Sequence, residues 1–370
     1  MQKGSRKKIL MTGGHAGATG YAVIQEIEKR EKNWEIYWFG ARKAVEGGKT
    51  ETLERKVFSQ MDVKFVPILA GRIQTRFSLW TIPSLIKIPV GFIHSFIKII
   101  KIRPDIIISF GGFVAVPVVF NAWLLGIPVV IHEQTAEVGR ANLFSKRFAK
   151  KILISRSSSQ KYFPRGKTIF TGNPISREIR TIRYKENKNK PPLVFVAGGS
   201  RGSVTINDCV RESLEEILKN FKLIHQTGEY QFNVFLKISK KLPFGLRKRY
   251  QALGLVEPWE WFKLVKLSDI IISRSGANMV SEVIAAKRPA IFIPLPIAYK
   301  NEQLKNAEIA VKLGIAKIIE QKELTSNKLL GELAAVNINW KRMVDSVKSV
   351  ESPDFSASSL FLDEVEKILE

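Results

Sequence analysis

Cysteine is almost missing from this sequence, and the lone Cys209 excludes internal disulfides and any cysteine-rich metal site. That usage fits a reducing cytoplasm. Histidine is nearly as scarce: His15, His94, His132 and His225 are the whole set, none at a metal-ligand spacing, so a zinc site is not expected. Acidic residues are outnumbered, 34 Asp and Glu against 59 Lys and Arg, which leaves a net charge of +25 on 370 residues. Such an excess calls for an anionic partner: nucleic acid, an acidic lipid surface or a phosphorylated substrate. Long uninterrupted hydrophobic runs are lacking too. The longest, residues 77–100, is broken by Pro83, Lys87 and Pro89 and reads poorly as a transmembrane helix. At the start, basic residues precede an apolar run of only residues 9–11, too short for a signal-peptide core, so it reads as a first strand.

Several nucleotide and nucleic-acid signatures are also missing. No Walker A lysine follows any glycine turn, and no full GxGxxG follows the first strand, which disfavours a P-loop nucleotidase and an NAD enzyme. No RNP-like aromatic strand, arginine-rich helix or zinc finger occurs, so nucleic acid is not the expected anion.

What is present is a duplicated plan. Residues 8–17 (KILMTGGHAG) and 193–202 (LVFVAGGSRG) each read as strand, glycine turn and helix. Residues 105–109 (DIIIS) recur as 269–273, each followed by a glycine turn that leads through a helix to a Pro-initiated apolar strand. Continuous β-branched runs between helical patterns mark parallel strands buried on both faces. The fold class expected is therefore α/β, two Rossmann-like domains facing a cleft. The domains are placed at residues 1–180 and 193–352, joined by a polar, Pro-terminated linker at 181–192. A terminal helix at 353–370 is expected to pack back on the first domain.

Ligands of such sheets sit beyond the carboxyl ends of the strands, where glycine turns and helix N-termini receive phosphates. Four such turns occur here, at 13–17, 111–112, 198–202 and 275–276. Glu282 lies two turns into the helix after Gly276, where a carboxylate suits ribose hydroxyls; the bland alternative is a solvent-facing glutamate. His132, Glu133 and Gln134 end a buried strand and are expected to face the cleft, unless they form a satisfied loop network. His225 ends another strand similarly. His15 stands inside the first glycine turn, where a bulky side chain has little structural reason to be.

Residues 63–104 contain no acid. Within them Lys87, Gly91, His94, Lys98 and Lys101 form a polar helical stripe, and Ile86, Ile88, Phe92, Ile93, Phe96, Ile97 and Ile100 a wide apolar face. That pattern, beside Trp80, reads as a membrane-surface segment; the alternative is a buried helix with a basic edge.

Taken together, residues 110–117, 126–134, 171–174, 197–202, 225–228, 274–282 and 301–307 resemble the MurG glycosyltransferase family, in order and over nearly the whole chain. The resemblance implies the GT-B fold and a metal-independent, cofactor-free inverting transfer of N-acetylglucosamine from UDP-N-acetylglucosamine to lipid I, an undecaprenyl-pyrophosphate-linked acceptor, at the inner membrane face. It implies that Ser200 and the helix start Ser275, Gly276 and Ala277 hold the donor diphosphate. Glu282 would take the ribose, Gln303 the sugar hydroxyls, and residues 255–261 the uracil. Gly13, Gly14, Gly111 and Gly112 would meet the acceptor pyrophosphate, with His132, Gln134 and Thr135 beside them. The segment around Trp80, Lys87, Phe92, Phe96, Lys98 and Lys101 would lie on the membrane.

The sequence departs from the family at several points. The family's histidine in the first loop is Ala18 here, and its asparagine after HEQ is Thr135. Its arginine two places after GNP is Ser176, with Arg177 one step later, while Arg201 and Glu302 replace glutamines on the donor side. With Ala18 in the histidine position, His15 and Glu133 are the candidate bases, and His15 is preferred because imidazole titrates near neutrality. The rival readings are a transferase for a different lipid-linked acceptor and an inactive GT-B module that binds membrane or nucleic acid.

Overall fold

The structure is a computed structural model describing residues 6–14, 16–43, 51–71, 81–199 and 202–370, with backbone alone at 81–85. It divides into two compact units, one of Met1–Ser176 with Pro353–Glu370 and one of Arg177–Ser352.

In the first unit the strands are β1 (Lys7–Thr12), β2 (Trp34–Gly40), β3 (Val63–Pro67), β4 (Ile106–Ser109), β5 (Val129–Glu133), β6 (Lys151–Ile154) and β7 (Thr168–Phe170). Five helices connect them: α1 (Gly17–Lys29), α2 (Leu53–Phe58), α3 (Thr81–Ile102), α4 (Ala115–Leu124) and α5 (Arg140–Ser145). The sheet is all parallel, in the order β3-β2-β1-β4-β5-β6-β7. Ile106, Ile107 and Ile108 of β4 are wholly buried between helix layers, as continuous apolar strands require. Trp38 of β2 lies against Phe58 and Phe110, and only a glycine fits above it: a Cβ on Gly20 would approach its ring to 2.5 Å.

The second unit carries β8 (Leu193–Ala197), β9 (Lys222–Gln226), β10 (Tyr250–Leu253), β11 (Ile270–Ser273), β12 (Ala290–Phe292) and β13 (Ala316–Ile318). Its parallel order is β10-β9-β8-β11-β12-β13. The helices are α6 (Arg177–Arg180), α7 (Val204–Asn220), α8 (Glu229–Lys241), α9 (Phe244–Arg247), α10 (Pro258–Leu267), α11 (Ala277–Ala286), α12 (Glu302–Lys312), α13 (Ser326–Ile338) and α14 (Trp340–Ser346). Helix α7 shows why these segments are helical: Ser203 caps it, and Ile206, Val210, Leu214 and Ile217 bury one face at helical spacing.

The last helix, α15 (Ala357–Leu369), returns to the first unit. Arg30 at the end of α1 pairs with its Asp363 and Glu366, and Phe361 stacks on Phe110. The segment read as an exposed linker, 181–192, is instead clamped to the second unit. Lys185 pairs with the buried Asp269 at 2.6 Å, and the Asn189 backbone and side-chain N–H groups donate to the same carboxylate. Buried Asp269 thus supplies the anchor that the polar composition of the segment conceals.

Candidate functional site

In the first unit the strand order reverses between β1 and β4, the place where doubly wound sheets bind ligands. Both strands end in glycine turns, and the turns touch: Gly14 N–H donates to the Gly111 carbonyl at 3.0 Å. Gly112 has φ +86°, and a Cβ there would lie 2.7 Å from Gly14 N, so this position takes only glycine. Gly13, Gly14, Gly111 and Gly112 therefore bring bare backbone together. The helix start behind them is already occupied in part. Ala16 N–H donates at 3.0 Å to Oε1 of Glu54, a residue of α2 only 4% exposed, so a carboxylate offsets some of the positive end of α1. Glu54 stands 38 residues from Ala16, and no spacing in the sequence links them.

The strand-end residues of β5 do not line an open face. His132 is fully buried, its ring edge-on to Phe110 and Phe361 and its Nε2 paired with the Ser155 hydroxyl at 3.0 Å. Burial pushes its pKa down to about 4, so it is neutral at physiological pH. Glu133 is buried as well. Its Oε1 accepts from Thr135 N–H and the Thr135 hydroxyl, and its Oε2 from Gly139 N–H and the Asn142 amide. Burial raises its pKa while these four donors oppose the rise. A carboxylate so engaged fastens the turn into α5 and is poorly disposed to take a proton from a substrate. Gln134 accepts from the Thr19 hydroxyl at 2.9 Å, tying that turn to α1. His225 of β9 follows His132: it is buried between Asn207, Tyr250 and Phe235, with its pKa lowered to about 3 by burial. The expectation of cleft-facing histidines fails because both faces of a parallel sheet are covered, so the end of a strand is no guide to exposure.

In the second unit the reversal falls between β8 and β11. The turn after β8 is tight: Gly202 has φ +75°, and a Cβ would lie 2.1 Å from the Thr227 carbonyl oxygen. Ser203, capping α7, accepts from Arg274 Nη2 at 2.8 Å. Arg274 follows β11 and also donates to the Ile293 and Pro294 carbonyls and to Gln321 Oε1, all neutral acceptors. Burial lowers its pKa to about 10, which still leaves it charged at neutral pH. The Ser275 hydroxyl is spent on the Gln303 carbonyl at 2.8 Å, and Gln303 Oε1 accepts from Leu295 N–H at 3.1 Å. Ser275 and Gln303 thus brace one another. What α11 offers an anion is its backbone, through Gly276 at the cap, which has no side chain to fill it, and Ala277 behind.

Glu282, on the second turn of α11, is the distinctive group. Trp261 Nε1 donates to its Oε2 at 2.7 Å, and among the described residues that is its one hydrogen bond. Burial lifts its pKa to about 7, against the lowering effect of that bond. Trp261 stands edge-on to Phe195 of β8, so the carboxylate is held beside the strand that ends in the glycine turn. Glu302 and Gln303 open α12, and Arg177 is exposed on α6. His15, Trp80, Ser200 and Arg201 lie outside the described residues.

On the surface of the first unit, α3 exposes the aliphatic part of the expected apolar face and packs its aromatic part. Ile86, Val90, Ile93, Ile97 and Ile100 point outward, while Phe92 and Phe96 are half-buried and Phe92 meets Phe120. The middle of the polar stripe is covered: Gly91 lies under Leu69 and Ala70, and His94 Nδ1 accepts from Leu69 N–H. Pro89 is accommodated inside the helix. No described helix is long and apolar enough to cross a membrane.

The geometry agrees with comparisons to known proteins. Residues 9–154 match the glycosyltransferase family 28 N-terminal domain and residues 193–354 its C-terminal domain. A Bacillus thuringiensis protein, UDP-N-acetylglucosamine--N-acetylmuramyl-(pentapeptide) pyrophosphoryl-undecaprenol N-acetylglucosamine transferase 3, is 30% identical over 90% of this chain and 92% of its own. A Clostridium botulinum transferase of the same description is 33% identical over 93% and 97%. Among solved structures, Acinetobacter baumannii MurG superposes with a TM-score of 0.69 at 25% identity, covering 98% of this chain and 99% of that one.

Proposed function

The chain belongs to glycosyltransferase family 28, and from that premise we propose that it transfers N-acetylglucosamine from UDP-N-acetylglucosamine to N-acetylmuramyl-pentapeptide pyrophosphoryl-undecaprenol in peptidoglycan synthesis. The observation that carries the donor half is the end of β11: an open glycine cap on α11, with the buried Glu282 carboxyl one turn further on. The cap amides suit the donor diphosphate, and Glu282 suits the ribose hydroxyls. As the glycosidic bond to UDP breaks, charge develops on the diphosphate, and the positive helix end with Arg274 nearby favours it. The acceptor hydroxyl attacks the anomeric carbon with inversion, and its proton passes to a base on the acceptor side. The saturated hydrogen bonding of Glu133 supports His15 for that role. No metal enters this scheme, since helix dipole and guanidinium carry the charge; the expected outcome is full activity in EDTA.

The outward apolar stripe of α3, flanked by Lys87, Lys98 and Lys101, supports docking on the cytoplasmic face of the anionic inner membrane, where a lipid-linked acceptor is found. Through the wall precursor it makes, the protein would serve cell shape and division. The test of the reaction is UDP release by purified protein on a panel of lipid-linked acceptors. Turnover with lipid I and N-acetylglucosamine addition by mass spectrometry are expected. Turnover only with another polyprenyl-linked sugar would shift the reading to that acceptor, and binding without turnover would make it an inactive module.

A further inference from the structure

The second unit carries a surface that donor binding does not use. Residues 230–256 contain no acid and six basic residues: Lys237, Lys240, Lys241, Arg247, Lys248 and Arg249. Helix α8 turns one face to solvent along Tyr230, Val234, Lys237 and Lys241, at spacings of four, three and four, while Phe235 on the opposite side is buried. Tyr230 is 90% exposed, and Phe244, opening α9, is 68% exposed with Lys248 Nζ 4.2 Å from its ring centre. Of the four acids of α7, which packs by α9, Asp208 and Glu216 are paired with Arg211 and Lys219 of their own helix and Glu212 accepts from the Ser326 hydroxyl; Glu215 and Glu229, the residue before Tyr230, are the remaining acids set against the six basic residues. An aromatic ring left in water beside lysines that have no acidic partner among the described residues is costly unless something amphipathic and negative covers both.

We propose that the α8–α9 surface, Tyr230, Val234, Lys237, Lys241, Phe244 and Lys248, is a second, independent contact for an anionic lipid surface, carried by the donor-binding unit. The rings of Tyr230 and Phe244 suit the interfacial layer, and the lysines suit acidic headgroups. The proposal shares the lipid partner proposed for α3 and rests on different residues in a different unit.

The test uses full-length protein and flotation with phosphatidylcholine vesicles, with and without 30% phosphatidylglycerol. Three variants are compared: Y230S/K237E/K241E/F244S/K248E for the new surface, K87E/K98E/K101E for α3, and K312E/K317E/K322E as a control. The control reverses three exposed lysines elsewhere in the second unit. Each lysine at an anionic surface is worth about fivefold in partitioning, so the first variant should bind acidic vesicles about 100-fold more weakly. The control should change little, and donor affinity by calorimetry should be retained in the first variant, which verifies its fold. Wild-type flotation by that variant overturns the inference and leaves the α3 reading standing. Loss in the first variant alone upholds it and removes the α3 reading. Equal loss in the control overturns it in favour of general charge, and in a parallel gel-shift with single-stranded DNA, loss of DNA binding by the first variant with vesicle binding intact overturns it in favour of nucleic acid.

Discussion

Replacing Glu282 by glutamine separates two consequences of burying a carboxyl in the proposed donor site. In the ligand-free protein, burial lifts its pKa from 4.5 to about 7. The unfolded chain loses this proton near 4.5, so the stability this group supplies is fully present below that pH and is lost as pH rises through about 7. A difference of two to three pK units corresponds to ~3 kcal/mol. Glutamine keeps an oxygen for Trp261 Nε1 and has nothing to ionise, so the variant should match the wild type near pH 4.5 and exceed it above pH 7. For a unit of this size, that is a rise of roughly 5–10 °C in Tm at pH 8. Donor binding should move the other way. Ribose hydroxyls donating to an ionised carboxylate lose about 1.5–3 kcal/mol when it becomes an amide, roughly a 10- to 150-fold increase in the Kd for UDP-N-acetylglucosamine. Because the donor selects the ionised form, wild-type affinity should fall below pH 7 by up to about tenfold per pH unit, and the variant should lose that slope. Calorimetry with UDP-N-acetylglucosamine from pH 5.5 to 8.5, with thermal melts of the free protein, reads both effects. An unchanged Kd refutes the ribose assignment, and equal melts at pH 8 refute the raised pKa.

His15→Ala should lower kcat by about 10²–10⁴-fold with little change in donor affinity, as loss of a general base does; steady-state kinetics at saturating donor check it, and a near-normal kcat would sink the assignment. Glu133→Gln places an amide NH2 against the donors of Asn142 and Gly139, so it should cost about 2–4 kcal/mol of stability, read as a lower Tm. A Glu133→Gln protein that melts normally but has lost kcat would make Glu133 the base. Lys87, Lys98 and Lys101 changed together to Glu should weaken flotation with acidic vesicles by ~3 kcal/mol while donor binding holds; binding that ignores both this change and added salt would make α3 an ordinary packed helix.

The two sheets and their glycine turns were legible because buried parallel strands are continuous apolar runs and a turn with φ near +80° admits little but glycine. The partners of polar residues were not. Glu54 reaches Ala16 N–H only through the packing of α2 on α1, and Asp269 holds Lys185 and Asn189 through contacts about 80 residues long. Helix α3 was legible in part. Periodicity sorted its residues into a polar stripe and a wide apolar face, read as a membrane surface with a buried helix as the alternative; what periodicity could not give was which residues of each stripe the rest of the fold would cover. The segment at Leu69 and Ala70 covers Gly91 and His94 at the middle of that polar stripe, which leaves Ile86, Val90, Ile93, Ile97 and Ile100 outermost. Five aliphatic side chains in one exposed row, edged by lysines, carry a free-energy cost in water that a soluble helix avoids by rotating. Here the inner face of α3, with Ser95 and Ile99 buried and Asn121 donating to the Phe92 carbonyl and the Ser95 hydroxyl, prevents that rotation. For a helix in water the amphipathic rule puts such a row inside; under the membrane docking proposed for α3, headgroups and acyl chains on the outer side would let the same row of residues obey it.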